Sequence, residues 1–418
     1  MRSRPETQHT FFAVGVILLA GLVADLVLWP RDQLPAALDL APGEFFSQAY
    51  IDRAESFRWL QSWLGIAGLA MLVAVPLVVA LRWPARWRTL GDARTPRHRR
   101  SLTCASIAAA IGAAALAAAL PFEFFAFLRA RHYGLVVQGA GGWLWNWLLG
   151  TLLVCAALAL LGLLAGWLIR RLRRAWWPVF GVLLILLAIV FQALAPSLIE
   201  PLFADFKPLP AGETRSDVER LARAADVHAG KVYLVDAASR TNGANAYVTG
   251  LGSTKRVVIY DTLLRDFNRP ERRAVVAHEL GHAHYSDLSA GLLWFGFVAM
   301  VCLFAVDLLA RAMATHRDVE FSSPAAIAML AAAAMVAIAL SQPAANAYSR
   351  QVEARADAFA LQVTRDPNAS IALERRLTVR NIARPQPPAL LQFLFGTHPT
   401  PMQRIGMAET VKREQAAP

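Results

Sequence analysis

His278, Glu279 and His282 stand in the pattern H-E-x-x-H, within Val275-Val-Ala-His278-Glu-Leu-Gly-His282. On a helix, positions four apart project from one face about one turn apart, so two imidazole nitrogens can meet one tetrahedral zinc ion. Glu279 then stands beside the metal, where its carboxylate can take a proton from water whose pKa the ion has lowered to roughly 7. With nine histidines and fourteen glutamates in 418 residues, chance supplies this pattern roughly 0.006 times. A helix whose histidines merely bond to neighbours is therefore the weaker reading. Upstream, Asn268-Arg-Pro270-Glu271 combines a cap residue, an early proline and an acid in the first turn, which predicts a helix start. His284 falls on a different face, which suits a solvated or supporting role better than ligation.

Two histidines leave zinc under-coordinated, and a catalytic His₂Glu site needs one more carboxylate plus an open position. Glu353 is the candidate, in the helical stretch Gln351-Val-Glu353-Ala-Arg-Ala-Asp357. Asp357, one turn on, can accept the second N–H of a ligating histidine and fix its tautomer. Spacing alone leaves open the alternative that Glu353 and Asp357 form a solvated face paired with Arg350 or Arg355.

The elements that must position these residues are membrane helices. Hydrophobic residues make up 56% of the chain and mean hydropathy is +0.40, which belongs to the membrane class. The formal charge of +12 does not point to nucleic acid, because the arginines cluster in short segments beside apolar runs, as cytoplasmic loops do. Lysine is scarce against arginine, and alanine abundant, as in GC-rich bacterial genomes. Cys104, Cys155 and Cys302 all lie in apolar runs without a CxxC pair and read as small core residues. Seven runs are long enough to span: 11–30, 59–81, 102–121, 146–169, 176–195, 289–310 and 324–343. The first is too long for a signal-peptide core, contains Asp25 and lacks a small-residue cleavage site. Alanine-rich faces such as Ala108-Ala-Ala110 allow close helix packing. Asp25, Glu123 and Asp307 lie in or near spans and read as boundary residues.

Residues 82–100 carry seven arginines against Asp92, and 170–174 carry four with no acid, whereas 31–58 hold five acids against three arginines. The positive-inside rule puts the second and fourth loops in the cytoplasm. By parity, segment 196–288 and the C-terminal tail share the extracytoplasmic face, in a bacterial inner membrane. Segment 201–288 is polar. Asp217–Ala225 has helical spacing, Lys231–Asp236 alternates like a strand, and 245–249 and 254–260 around the turn Gly250-Leu-Gly-Ser253 read as a β-hairpin. The fold expected is a seven-span helical membrane protein with a small α+β catalytic insert of gluzincin type. Its parts are 1–195 with five spans, the insert 196–288, 289–343 with two spans, and a helical part at 344–418 that completes the zinc site. The tail also holds a loop at Pro385-Gln-Pro-Pro388 and an end, 409–418, that reads as frayed.

As an ordered set, Asn245-Ala-Tyr247, Tyr260-Asp-Thr-Leu-Leu264, His278-Glu-Leu-Gly-His282, Glu353-x-x-Ala-Asp357-Ala-Phe and the late His398-Pro resemble the type I CAAX prenyl endopeptidases, integral-membrane zinc metalloproteases. The resemblance covers nearly the whole chain, down to Pro201-Leu-Phe-x-x-Phe206-x-Pro-Leu209; the HtpX-type heat-shock proteases share part of the set but are shorter. It implies one zinc per chain held by His278, His282 and Glu353, with Glu279 as general base. It implies that Asn245, Ala246 and Tyr247 lie on an edge strand that pairs with substrate, that His398 holds the substrate carbonyl or its oxyanion, and that Arg404 pairs with Asp357. The spans would enclose a water-filled chamber with the site facing inward.

Two features depart from that pattern. Eukaryotic members work with the catalytic face toward the cytosol, whereas the arginines here point that face outward, and a bacterium is expected to lack prenylated CAAX proteins. The expected partners are therefore the bilayer and a membrane-associated peptide, hydrophobic or prenylated, or a quality-control substrate, with no nucleic acid; the oligomeric state stays open. A seven-span transporter or scaffold with a structural zinc is the reading from another class, but the polar chemistry is concentrated in the insert instead of mid-membrane. An intramembrane protease of the site-2 type would need the motif inside an apolar span, and Arg272, Arg273, His284 and Asp287 flank it closely.

Overall fold

The computed structural model describes residues 5–82, 96–227, 231–250 and 256–417. Within them lie seven helices long and apolar enough to cross a bilayer. Five come first: α1 (Pro5–Leu28), α2 (Gln48–Leu81), α3 (Arg97–His132), α4 (Ala140–Leu172) and α5 (Trp176–Leu198). The polar insert follows as β1 (Phe206–Pro208), α6 (Glu213–Ala224), β2 (Lys231–Val235), β3 (Ala246–Thr249), β4 (Arg256–Tyr260), α7 (Asp261–Asp266) and α8 (Arg269–His284). Two more long helices, α9 (Asp287–His316) and α10 (Ala326–Thr364), lead to α11 (Pro367–Arg380), α12 (Ala389–Phe395) and α13 (Pro401–Ala416). The chain is a polytopic helical membrane protein with a small α+β insert, as its hydropathy requires. Arg86, Arg88, Asp92 and Arg94 of the second loop, and 251–255 of the hairpin turn, lie outside the described residues.

Several helices run past the apolar windows. The start of α2 and the end of α3 continue because they have a core of their own, where Ala54, Phe57 and Ala130 pack with Ile382 from the tail. In the bundle, small residues let backbones approach: Ala328, Ala332 and Ala333 of α10 are at most 1% exposed.

The acids in the spans have partners on neighbouring helices. Asp25 and Asp307 are buried, and each accepts an indole N–H from another helix, Trp294 to Asp25 at 2.8 Å and Trp176 to Asp307 at 2.6 Å. Glu123 accepts from Trp147 at 3.0 Å. A carboxylate out of water needs a donor, and these pairs tie α1 to α9, α5 to α9 and α3 to α4.

The sheet runs β1-β2-β4-β3, with β2 and β4 parallel and both outer pairs antiparallel. Residues Phe206–Pro208 had no strand expectation; they pair with the end of β2. The expected hairpin is present, with Ala246 opposite Ile259 and Thr249 opposite Arg256. The loop after β2 is tied to the loop between α3 and α4, where Val137 and Gln138 both donate to the Arg240 carbonyl at 3.0 and 3.2 Å. Insert and odd-numbered loops thus meet on one face, as seven spans demand.

The end of the chain is not frayed. Helix α13 runs to Ala416 because the loop after α1 packs on it: the Thr410 hydroxyl donates to Ala36, and Gly406 lies so close that a Cβ would sit 2.4 Å from the Leu38 carbonyl oxygen.

Candidate active site

Helix α8 begins with the capping box that Asn268 and Glu271 announce, each side chain bonding the other's backbone N–H at 3.0 and 2.9 Å. Val275, Val276 and Leu280 are buried in the insert core, which turns His278 and His282 toward α10. The two helices touch at Gly281. A Cβ there would lie 3.2 Å from Ala356 Cα and 3.2 Å from Phe359 Cδ1, so a larger residue would push α10 back by a few tenths of an ångström.

That approach brings Glu353 to the histidines. His278 Nε2 lies 3.2 Å from His282 Nε2 and 3.2 Å from Glu353 Oε2, while His282 Nε2 lies 3.7 Å from Glu353 Oε1. One ligand atom from each of the three falls within 4.8 Å of the others. The outer nitrogens are held by carboxylates, His278 Nδ1 by Asp357 and His282 Nδ1 by Asp287, both at 2.9 Å. In a neutral imidazole such a contact favours the tautomer with its proton on Nδ1, which leaves the Nε2 lone pair facing inward. Glu353 Oε2 is buried without a hydrogen bond. Two imidazole nitrogens and an unsatisfied carboxylate oxygen converging in this way fit a zinc ion with room for a further ligand.

Neither Arg350 nor Arg355 pairs with Glu353 or Asp357: Arg350 donates to the carbonyls of Gln392 and Gly396, and Arg355 pairs with Asp287 and Asp32. Asp357 instead receives Arg404 in a two-pronged contact at 2.8 and 2.5 Å, and Arg404 reaches Glu374 at 3.0 Å. His284 stands apart from the histidine pair, stacked on Phe359 with its Nδ1 at the Ala225 carbonyl.

Glu279 is buried beside the pair and also borders β3. Burial raises its pKa above the ordinary glutamate value, and positive charge on His278 and His282 only partly offsets this. A cavity of about 570 Å³ opens in front, walled by 245–248 of the β3 edge, Glu279, the ligand-type triad and His398. The register sets which backbone groups face it. Tyr260 N–H donates to the Asn245 carbonyl, so Asn245 and Tyr247 point their backbone groups at β4, while Ala246 and Val248 point theirs into the open edge. His398 arrives from the loop after α12, with Nε2 3.3 Å from Glu353 Oε2 and Nδ1 2.8 Å from the Thr397 hydroxyl.

Three features escape a reading of spacing. Asp287 opens α9, and the left-handed turn at Ser286 (φ 55°) swings it back onto His282. Arg355 then holds Asp287 while stacking 4.1 Å over the Tyr285 ring. Glu200, at the end of the fifth span, accepts from Tyr247 at 3.3 Å, Thr249 at 3.2 Å and Arg256 at 2.8 Å, anchoring the hairpin to the membrane part. An acid a few residues past an H-E-x-x-H motif is the one signal that could have pointed to Asp287.

Two family models divide the chain. Peptidase family M48 matches residues 208–412, and the CAAX prenyl protease N-terminal model, described as five membrane helices, matches residues 44–205. The uncharacterized metalloprotease YhfN of Bacillus subtilis is 28% identical over 305 residues, 72% of this chain and 71% of that one. The probable CAAX prenyl protease 1 of Schizosaccharomyces pombe is 33% identical over 183 residues, 43% of this chain but 39% of that relative. A crystal structure of S. mikatae Ste24p superposes over 97% of this chain and all of that one, with a TM-score of 0.78 at 18% identity, which is a likeness of fold. Motif, membrane architecture and relatives agree, and the chain belongs to the M48 family of membrane metalloproteases, alongside the CAAX prenyl proteases.

Proposed function

We propose that this protein is a zinc-dependent endopeptidase that cuts membrane-associated peptides with hydrophobic or prenylated segments. The convergence of His278, His282 and Glu353 within 4.8 Å, in a cavity walled by an open strand edge, carries this reading. Zinc held by these residues would polarise a peptide carbonyl and make water acidic enough to attack it. An extended substrate adds to β3 through the outward backbone groups of Ala246 and Val248, which sets its carbonyl before the triad. Glu279 takes the proton of the attacking water and returns it to the departing amine, and its burial makes it a better base than a solvated glutamate. His398 Nε2–H donates to the carbonyl oxygen as negative charge develops there, with Thr397 holding its other nitrogen. Asp357 and Asp287 keep the two imidazoles oriented, and Arg404 neutralises Asp357.

Arg170, Arg171, Arg173 and Arg174 cluster where α4 meets α5, across the bundle from the insert. The positive-inside rule then supports a cytoplasmic position for that end and an extracytoplasmic site in a bacterial inner membrane. Such a site suits processing or quality control of exported and membrane-bound chains. The test is cleavage of a hydrophobic peptide panel, with and without a prenyl group, by detergent-purified protein. Activity lost to a chelator and restored by zinc supports the reading, and full activity after zinc is removed overturns it.

A further inference from the structure

The histidine that reaches over the site sits on the short loop between α12 and α13, and its side chain is about half exposed at 55%. Something else must hold it. The grip comes from α10. Asn346, 2% exposed, donates from Nδ2 to the Leu394 carbonyl at 2.6 Å, and Gln342 braces its other side-chain atom at 2.9 Å. One turn on, Arg350 donates from Nη1 to the carbonyls of Gly396 at 2.6 Å and Gln392 at 3.2 Å. The Gln392 side chain completes the turn by donating to the His398 carbonyl at 2.7 Å. Positions 346, 350, 353 and 357 follow helical spacing along one stripe of α10. Its first half clamps the turn that carries His398, and its second half supplies Glu353 and its neighbour Asp357.

We propose that Asn346 and Arg350 are positioning residues that act through His398. One helix face thereby sets the distance between the metal carboxylate and the histidine above it. These side chains touch neither the triad nor Glu279; what they supply is alignment. An isolated hydrogen-bond donor placed in register with a developing oxyanion is worth about 100-fold or more in kcat, and a misplaced one is worth much less. The inference rests on the reading of His398 as a group that contacts substrate, and the test separates the two.

The experiment is a double-mutant cycle on the full-length protein in detergent, reading kcat, KM and zinc content for Arg350→Met, His398→Ala and the pair. Arg350→Met is expected to lower kcat about tenfold with zinc content intact, and to cost less than about twofold once His398 is already alanine. Arg350→Lys, which can still reach the Gly396 carbonyl, is expected to recover most of the rate. Asn346→Asp, nearly isosteric but unable to donate, provides a second arm should Arg350→Met fold poorly. Equal losses in both backgrounds would mean a general structural role, and unchanged kcat in Arg350→Met and Asn346→Asp would mean no role; either overturns the proposal. If His398→Ala alone leaves kcat unchanged, the reading of His398 fails first and the proposal falls with it.

Discussion

Nδ1 of His282 lies 2.9 Å from Oδ2 of Asp287, the residue at which a new helix begins. His278 has the matching partner in Asp357, so each imidazole is oriented by a carboxylate from a different direction. Asp287→Ala should therefore weaken zinc binding about 10- to 100-fold while the protein still folds. Competition with a fluorescent chelator measures this. Unchanged affinity would mean that the contact does not orient the ligand.

Arg404 pairs with two carboxylates, the partly buried Asp357 and the buried Glu374. Burial already pushes the Glu374 pKa up, and Arg404 gives the largest opposing effect. Arg404→Met removes the guanidinium from both acids and leaves Asp357 only its His278 contact, and a loss of about 3 kcal/mol is expected. A lowered thermal midpoint in detergent is the readout, and a wild-type midpoint would contradict the assignment.

The two backbone faces of β3 respond oppositely to proline. Ala246 points its N–H into the cavity, so Ala246→Pro should keep the fold and lower kcat/KM about tenfold by removing one rung of substrate pairing. Tyr247 points its N–H at Val258 in the ladder, so Tyr247→Pro should disrupt the sheet and reduce folded yield. Full activity in Ala246→Pro would count against substrate addition at this edge.

Zinc uptake should release a proton. Burial alone would lower the His278 pKa, but Asp357 and Glu353 more than reverse this and raise it to about 10 in the metal-free site. Below that value the protonated imidazole competes with zinc, so affinity should strengthen as pH rises from about 6 to about 9, with about one proton expelled per zinc at neutral pH. Calorimetry in buffers of different ionisation heat counts the protons. No release at neutral pH would contradict the coupling.

Much of this was legible in one dimension because it rests on local rules. The H-E-x-x-H spacing depends only on helix geometry, the start of α8 on its cap residues, and the seven spans on run length. Glu353 and Asp357 were visible as a one-turn pair, yet spacing left them even with a solvated face. What separates the alternatives is the approach of α10 at Gly281, which is a tertiary event. Asp287 stayed hidden because its role depends on a left-handed residue at Ser286, where side chains rarely sit. The indole partners of Asp25 and Asp307 were not legible because they lie on helices distant in sequence. The tail looked frayed because the loop that covers α13 lies more than 360 residues earlier.

The central claim is that Glu279 moves the proton while His278, His282 and Glu353 hold the metal. Its most direct test is Glu279→Gln, measured for zinc content and peptide cleavage beside the wild type. The account predicts about one zinc per chain in both proteins and a loss of about 1000-fold or more in cleavage by the variant. Cleavage by a clean Glu279→Gln preparation at the wild-type rate would contradict it.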